Sequence, residues 1–397
     1  MKTPTSKAGT PTSWAQLIES KYGCRLSSDL TDWFDAEIWR EHVDDTGDQF
    51  LQPVAAEELL SDAPRAIWPA LMPCDLLPLV GNGMGDWLCL RIRNDNTARE
   101  IVHWYHGGGD WIPWGDGIAQ ALLFAHLRRR LPQGNRDYAP GLAVRRSHPA
   151  SKLTQWATNH VDQWSHDLTD EVNGGELADE MIRLRLCEPA VRCQLVIDAL
   201  GERPFDPTES GDQAWQAAAT HATAITQLAP YLAWGWDIAG YAKEREGERK
   251  QAIELYREGL QCSAFTDQCV RIGTEAMTGG GNKFAALRLT DLNHEPRDDG
   301  EREYLTAMHL STDDARRRSV YDHFEKQATV AERSVDFPRA VKNWFRAGWD
   351  LGAEPLQQFE VILTSLATCA AQAGFDATAT LARTHALCFR ERYGTSD

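Results

Sequence analysis

The sequence lacks any run of the roughly 18 uncharged apolar residues that a membrane-spanning helix needs, and its opening, MKTPTSKAGTPTSW, is polar. Neither a signal peptide nor a transmembrane segment is expected, and the chain reads as a soluble cytoplasmic protein. It has no C-x-x-C: its nine cysteines are an odd number, and the near pairs Cys187/Cys193 and Cys262/Cys269 are six and seven residues apart. That excludes a secreted disulfide framework and a zinc knuckle, leaving buried, reduced thiols. G-x-S-x-G, G-x-G-x-x-G and the Walker pattern are missing too, so neither a hydrolase elbow nor a phosphate-binding loop is signalled. Positive charge is scarce, with 41 Lys and Arg against 58 Asp and Glu and a formal net charge of −17. An acidic chain repels phosphate, so nucleic acid and anionic membrane are poor partners and a basic protein is a better one.

What is present is ordinary globular material: 397 residues, 42% hydrophobic and 25% charged, enough for two domains. Residues 1–12 read as a flexible tail. Trp14, Leu17 and Ile18 begin a helical pattern, and the segment 29–62 holds eleven acids against one base, Arg40. From 76 the period changes to strands: Leu76–Val80, then Asp86–Ile92 after the bend Gly81-Asn82-Gly83-Met84-Gly85, then Glu100–Tyr105. A helix starts near Ile118, with Asp116 as its expected cap. Between Arg128 and Lys152 the charge inverts, to seven bases and one acid among scattered Pro and Gly. We assign 131–150 as a basic linker. From 151 to 397 the pattern is helical. Trp236, Ala239, Gly240, Gly247, Ala252, Tyr256 and Gly259 fall on tetratricopeptide-like spacing, and Phe324, Ala328, Ala331, Ala340, Trp344 and Ala347 nearly repeat it.

Few residues invite chemistry. The glycine bend is followed by a strand where a phosphate loop needs a helix. His103, His106 and Asp110 supply potential ligands, but strand residues three apart point to opposite faces. Asp44-Asp45 and Glu57-Glu58 read as a solvated face. No catalytic residue, metal or cofactor is assigned. Asp86, between the bend and a strand, is placed to accept backbone N–H groups, and with Gly85 reads as structural. Eight of fifteen tryptophans lie in the first 114 residues. Trp111, in a Gly/Pro loop where burial is harder, is the expected apolar anchor.

The order Leu-Pro-Leu-Val-Gly-Asn-Gly-Met-Gly-Asp-Trp-Leu-Cys-Leu at 77–90, Val-His-Trp-Tyr-His-Gly-Gly-Gly-Asp at 102–110 and Gly-Ile-Ala-Gln-Ala-Leu-Leu-Phe from 117 resembles the SUKH (Smi/Knr-like) superfamily. Gly85-Asp86, Trp104, His106 and Ile118-Ala119 occupy its recurring positions over about residues 13–130. The resemblance implies an α+β N-terminal domain, a mostly antiparallel sheet with packed helices; the helical periodicity of 151–397 adds an all-α domain of tetratricopeptide-like spacing behind it. The resemblance also implies a protein-binding module: an immunity protein facing a toxin or other basic protein, or a regulatory adaptor. The partner-binding residues expected are Asp44, Asp45, Asp48, Trp104, His106, Asp110 and Trp111. An enzyme with its site between the domains and a helical-repeat scaffold are the alternatives. Residues 13–130 are expected to fold independently of the rest.

Overall fold

A computed structural model describes residues 13–41, 48–132, 149–162, 164, 173–201, 211–264, 283–351 and 356–394. The expected tail 1–12, most of the expected linker, and Asp44 and Asp45 lie outside the described residues.

Ser13 caps helix α1 (Trp14–Tyr22) by accepting the Gln16 N–H, and Gly23 ends it at φ 64°. Its Ala15, Ile18 and Tyr22 face inward. Helix α2 (Ser28–Asp35) and the short α3 (Ala56–Leu59) follow, with Leu30, Trp33, Phe34 and Leu59 buried. The sheet comprises β1 (Arg25–Leu26), β2 (Gln52–Pro53), β3 (Leu76–Gly81), β4 (Trp87–Ile92), β5 (Thr97–Trp104) and β6 (Trp111–Gly115). Its order is β1-β5-β4-β3-β2, and β6 joins β5. All pairings are antiparallel except β1 with β5. The N-terminal region is therefore α+β, as expected.

Helix α4 (Ile118–Leu127) is apolar on nearly every side and lies between the sheet, α2 and α5 (Lys152–Asn159). Asp116 is not its cap. The Asp29 carboxylate reaches across from α2 to accept the Ala119 N–H at 3.1 Å, while the Asp116 N–H goes to the Gln120 side chain. A tertiary contact thus replaces the local one.

The remainder is helical: α6 (Gly174–Arg183), α7 (Glu188–Leu200), α8 (Asp212–Leu228), α9 (Ala233–Arg245), α10 (Arg249–Leu260), α11 (Phe284–Asp291), α12 (Asp299–Met308), α13 (Asp313–Arg333), α14 (Phe337–Trp349), α15 (Leu356–Gln372) and α16 (Asp376–Tyr393). The spaced small residues meet at helix pairs. A Cβ on Gly240 of α9 would stand 2.6 Å from the Tyr256 ring of α10. Ala328 and Ala331 of α13 are buried, as are Ala340 and Ala347 of α14. Among the described residues no helix is long and apolar enough to cross a membrane.

The apolar core does not stop at 131–150. One cluster runs from Ala15 through the sheet to Trp215 and Ile238, and takes in Ala377, Leu381 and Cys388 of the last helix. α16 returns to the sheet, where His385 Nε2 lies 3.0 Å from the Leu76 carbonyl and Asn96 Oδ1 accepts the Ala377 N–H. Ala70 and Cys74 in turn join the core of the later helices. Such continuity argues against an autonomous 13–130 unit, because cutting at the linker would expose apolar surface on both sides.

Candidate functional site

The residues expected to bind a partner are mostly interior. Trp104 is fully buried on β5, and Asp110 is buried at the turn whose carbonyl accepts the Tyr105 N–H. Trp111 is 5% exposed. It sits on β6, not in a loop: β6 pairs with β5, Tyr231 stacks on the indole at 6.0 Å, and the Arg91 guanidinium lies 3.8 Å from the ring centroid. A surface anchor at Trp111 is corrected accordingly. His106 is half-exposed, edge-on to Trp68 at 4.7 Å.

Asp48 is also an inward residue. Its carboxylate meets His126 Nδ1 at 2.6 Å and accepts the Ser151 N–H and the Thr154 hydroxyl, each at 2.9 Å. Burial alone would raise this carboxyl, but His126 and Ser151 outweigh it and hold it down to about 2. Asp48 therefore ties its loop to α4 and α5.

The same holds for most of the acidic segment. Asp29 caps α4; Asp32 accepts the Trp156 indole N–H at 2.9 Å and pairs with His160 at 3.1 Å. Asp35 accepts the Ala15 N–H and Glu37 the Trp14 indole. Glu41 pairs with Lys152, Glu57 with Arg40, and Glu58 accepts the Arg65 N–H. These described acids make internal bonds that staple neighbouring elements, although Glu41 and Glu57 keep side-chain exposures of 44% and 52% and Asp35 is exposed.

Asp86 has the structural position expected. Oδ1 accepts the His106 N–H at 2.9 Å and Oδ2 the Asn82 amide at 3.0 Å. Burial pushes against ionisation, but His103 and His106 prevail and keep the carboxyl below its usual range. A side chain on Gly85, at φ 105°, would collide with the His106 ring at 2.9 Å.

Two buried charge networks went unread in the sequence. In the first, Arg91 pairs with Asp75 at 3.0 Å and Glu100 at 3.5 Å, and Glu100 also accepts the Tyr231 hydroxyl at 2.6 Å. It locks the sheet to the loop before α9. In the second, Asp350 pairs with Lys283 at 3.1 Å and Arg346 at 3.0 Å and accepts the Tyr304 hydroxyl. Lys283 and Arg346 also donate to the Leu260 carbonyl, so two cations cap the C-terminus of α10. Burial lowers the Lys283 amine to about 8, with Asp350 opposing. These groups are mutually satisfied, which suits a structural lock more than catalysis. Asp237 of α9 differs: it is buried, its Oδ1 has no hydrogen-bond partner among the described residues, and burial lifts its carboxyl to about 7 against the pull of Lys283.

Among the described residues, two adjoining cavities lie on the helical region. A trough of about 1120 Å³ is walled by Gln216, Thr220 and Thr223 of α8 and by Glu254 and Glu258 of α10, with Ala239 of α9 among its lining. Glu258 and Arg297 also line a second cavity of about 730 Å³, which reaches Tyr304 on α12, Phe324 on α13 and Arg346 on α14. The two cavities adjoin at these two residues, which mark the groove of the helical region. Glu254 and Glu258 are exposed, one helical turn apart, and have no ion partner among the described residues. Lys243, the nearby base of α9, is taken by Glu246 at 2.7 Å and Glu248 at 3.5 Å. The sequence signal for this ridge was available in the i, i+4 spacing of Glu254 and Glu258. It was obscured by the denser acids at 29–62.

No family model, no curated protein and no solved structure matches the chain.

Proposed function

We propose that the chain is a protein-binding module, an immunity protein or regulatory adaptor, whose partner lays a basic segment along the groove of the helical region. One observation carries this reading: an open groove beside which Glu254 and Glu258 stand exposed with no ion pair among the described residues, although Arg297 shares the lining. Like charges at i, i+4 repel by a few tenths of a kcal/mol, and a lysine or arginine placed between them relieves that repulsion. The threonines and glutamine opposite offer hydrogen bonds to an extended backbone. The net charge of −17 steers a basic partner toward the chain. The resemblance of residues 77–90, 102–110 and 117–124 to the SUKH superfamily, whose members include interaction modules, also favours an interaction role. An enzyme is less well supported, because two of the perturbed buried groups of the helical region, Lys283 and Asp350, are bonded to each other; Asp237 is the exception.

The test is affinity capture from the native cell, identification by mass spectrometry, and kinetics of the purified pair. On this reading association slows steeply with salt, and Glu254→Gln with Glu258→Gln weakens binding about tenfold. A captured partner indifferent both to salt and to these changes would refute it.

A further inference from the structure

A separate surface, at the far end of the β3–β4 hairpin, goes beyond that reading. We infer that the hairpin tip is a docking point for a protein surface that offers an apolar socket flanked by carboxylates. Met84 is 79% exposed, more than any other large apolar residue among those described. Such exposure is tolerable on a floppy loop, but this tip is cross-linked. The Asn82 side-chain carbonyl accepts the Met84 N–H at 2.8 Å and the Asp86 N–H at 3.0 Å. Asp86 in turn holds the His106 N–H. Gly83, at φ 74°, presses on the Gln52 side chain and Gly85 on the His106 ring, with 2.8 and 2.9 Å to a hypothetical Cβ. The tip is therefore presented in one shape, and a partner loses little ordering entropy in seizing it. Methionine is an adaptable apolar contact for such a socket.

The surroundings specify the rim. His106 abuts Trp68, and the Arg392 guanidinium lies 5.1 Å from the Trp68 ring centroid while donating to the Arg65 carbonyl. Arg65 and Arg392 are exposed, giving this end of an acidic molecule two cations beside an aromatic ledge. Charge complementarity then asks for Asp or Glu around the socket, the reverse of what the groove asks.

The sulfur chemistry supplies a handle. The other described methionines, Met72, Met181 and Met308, are buried, as are the eight described free cysteines. Hydrogen peroxide should transfer one oxygen to the Met84 thioether and leave as water, giving a polar sulfoxide on an otherwise intact tip.

The probe is a phage-displayed library of short random peptides, panned on the full chain, with the enriched peptide then synthesised and titrated by fluorescence anisotropy. Enriched peptides should join an aromatic or leucine residue to Asp or Glu. Binding should fall about tenfold in Met84→Ser and after peroxide, and about threefold in Arg392→Gln. It should not change when Glu254 and Glu258 become Gln, which separates this site from the groove. Failure to enrich acidic-aromatic peptides, enrichment of basic ones, or binding unaltered by Met84→Ser would overturn the inference. A dimer in sedimentation that Met84→Ser dissolves would also overturn it, by assigning the tip to a second copy.

Discussion

The acidic segment at 29–62 and the acidic ridge of α10 carry the same kind of side chain and end in opposite states. In the first, most of the described carboxylates are bonded to the rest of the chain, among them to Trp14, Trp156, His126 and helix N–H groups. In the second, Glu254 and Glu258 stand in solvent beside a groove. Density of charge is thus a poor guide to a docking face. What matters is whether neighbouring elements bring donors to meet the acids. A loop-rich α+β region has many free N–H groups and indoles to satisfy, whereas the exposed face of a long helix has already paired its backbone.

The largest test of that contrast is at a fully internal charge. Asp350→Ala strands Lys283 and Arg346 beneath the groove, and equilibrium denaturation should register a loss of about 3–5 kcal/mol. A loss below about 1 kcal/mol would mean the lock is dispensable.

Asp48 sharpens the comparison through pH. Its folded carboxyl is held to about 2, below its ordinary value of 3.8. The stabilisation is therefore present in full above the ordinary value and fades as pH falls from there through about 2. Asp48→Asn should cost about 2 kcal/mol at neutral pH and flatten the acid limb of the stability curve. An unchanged acid limb would show that Asp48 is not a staple.

Asp86→Ala should lower stability by about 1–2 kcal/mol, from the loss of bonds to His106 and Asn82. An unchanged melting temperature with a changed binding constant would move Asp86 from the scaffold to the binding surface.

Asp237 has the opposite sign. Its folded carboxyl is raised to about 7, so the folded state holds a proton that the unfolded state has released, and stability declines as pH rises from about 4 through 7. Asp237→Asn should stabilise the protein by about 1 kcal/mol at pH 8 and leave it unchanged near pH 4. Destabilisation at pH 8 would mean the carboxylate has a use that its surroundings do not reveal.

The smallest effect belongs to the groove. Glu254→Gln with Glu258→Gln should change stability by no more than about 0.5 kcal/mol while altering partner association. A large loss of stability would show that the ridge, like the 29–62 acids, is structural after all.

Much of the architecture was legible because it is local. The strands expected at 76–80, 86–92 and 100–105 overlie β3, β4 and β5, because β-rich runs and the glycine bend announce them. The helix pairs follow from the spacing of small residues, since Gly240 must face Tyr256. The site was less legible. Trp111 was placed in a loop by its Gly and Pro neighbours, yet Pro113 is accommodated in β6 opposite Val102, and Tyr231, 120 positions later, covers the indole.

What the amino-acid sequence determined by itself is whatever depends on neighbours within a few positions: the α+β start, the helical remainder and the bend at 81–86. Periodicity and turn chemistry act over that range. Only the tertiary structure decided which charges are consumed and which remain. Asp29 meets Ala119 and Asp48 meets Ser151 across about 90 and 103 positions, and α16 closes on a sheet whose strands ended hundreds of residues earlier. A carboxylate acquires its function from the donors that surround it, and those donors are brought by the fold, not by adjacent residues.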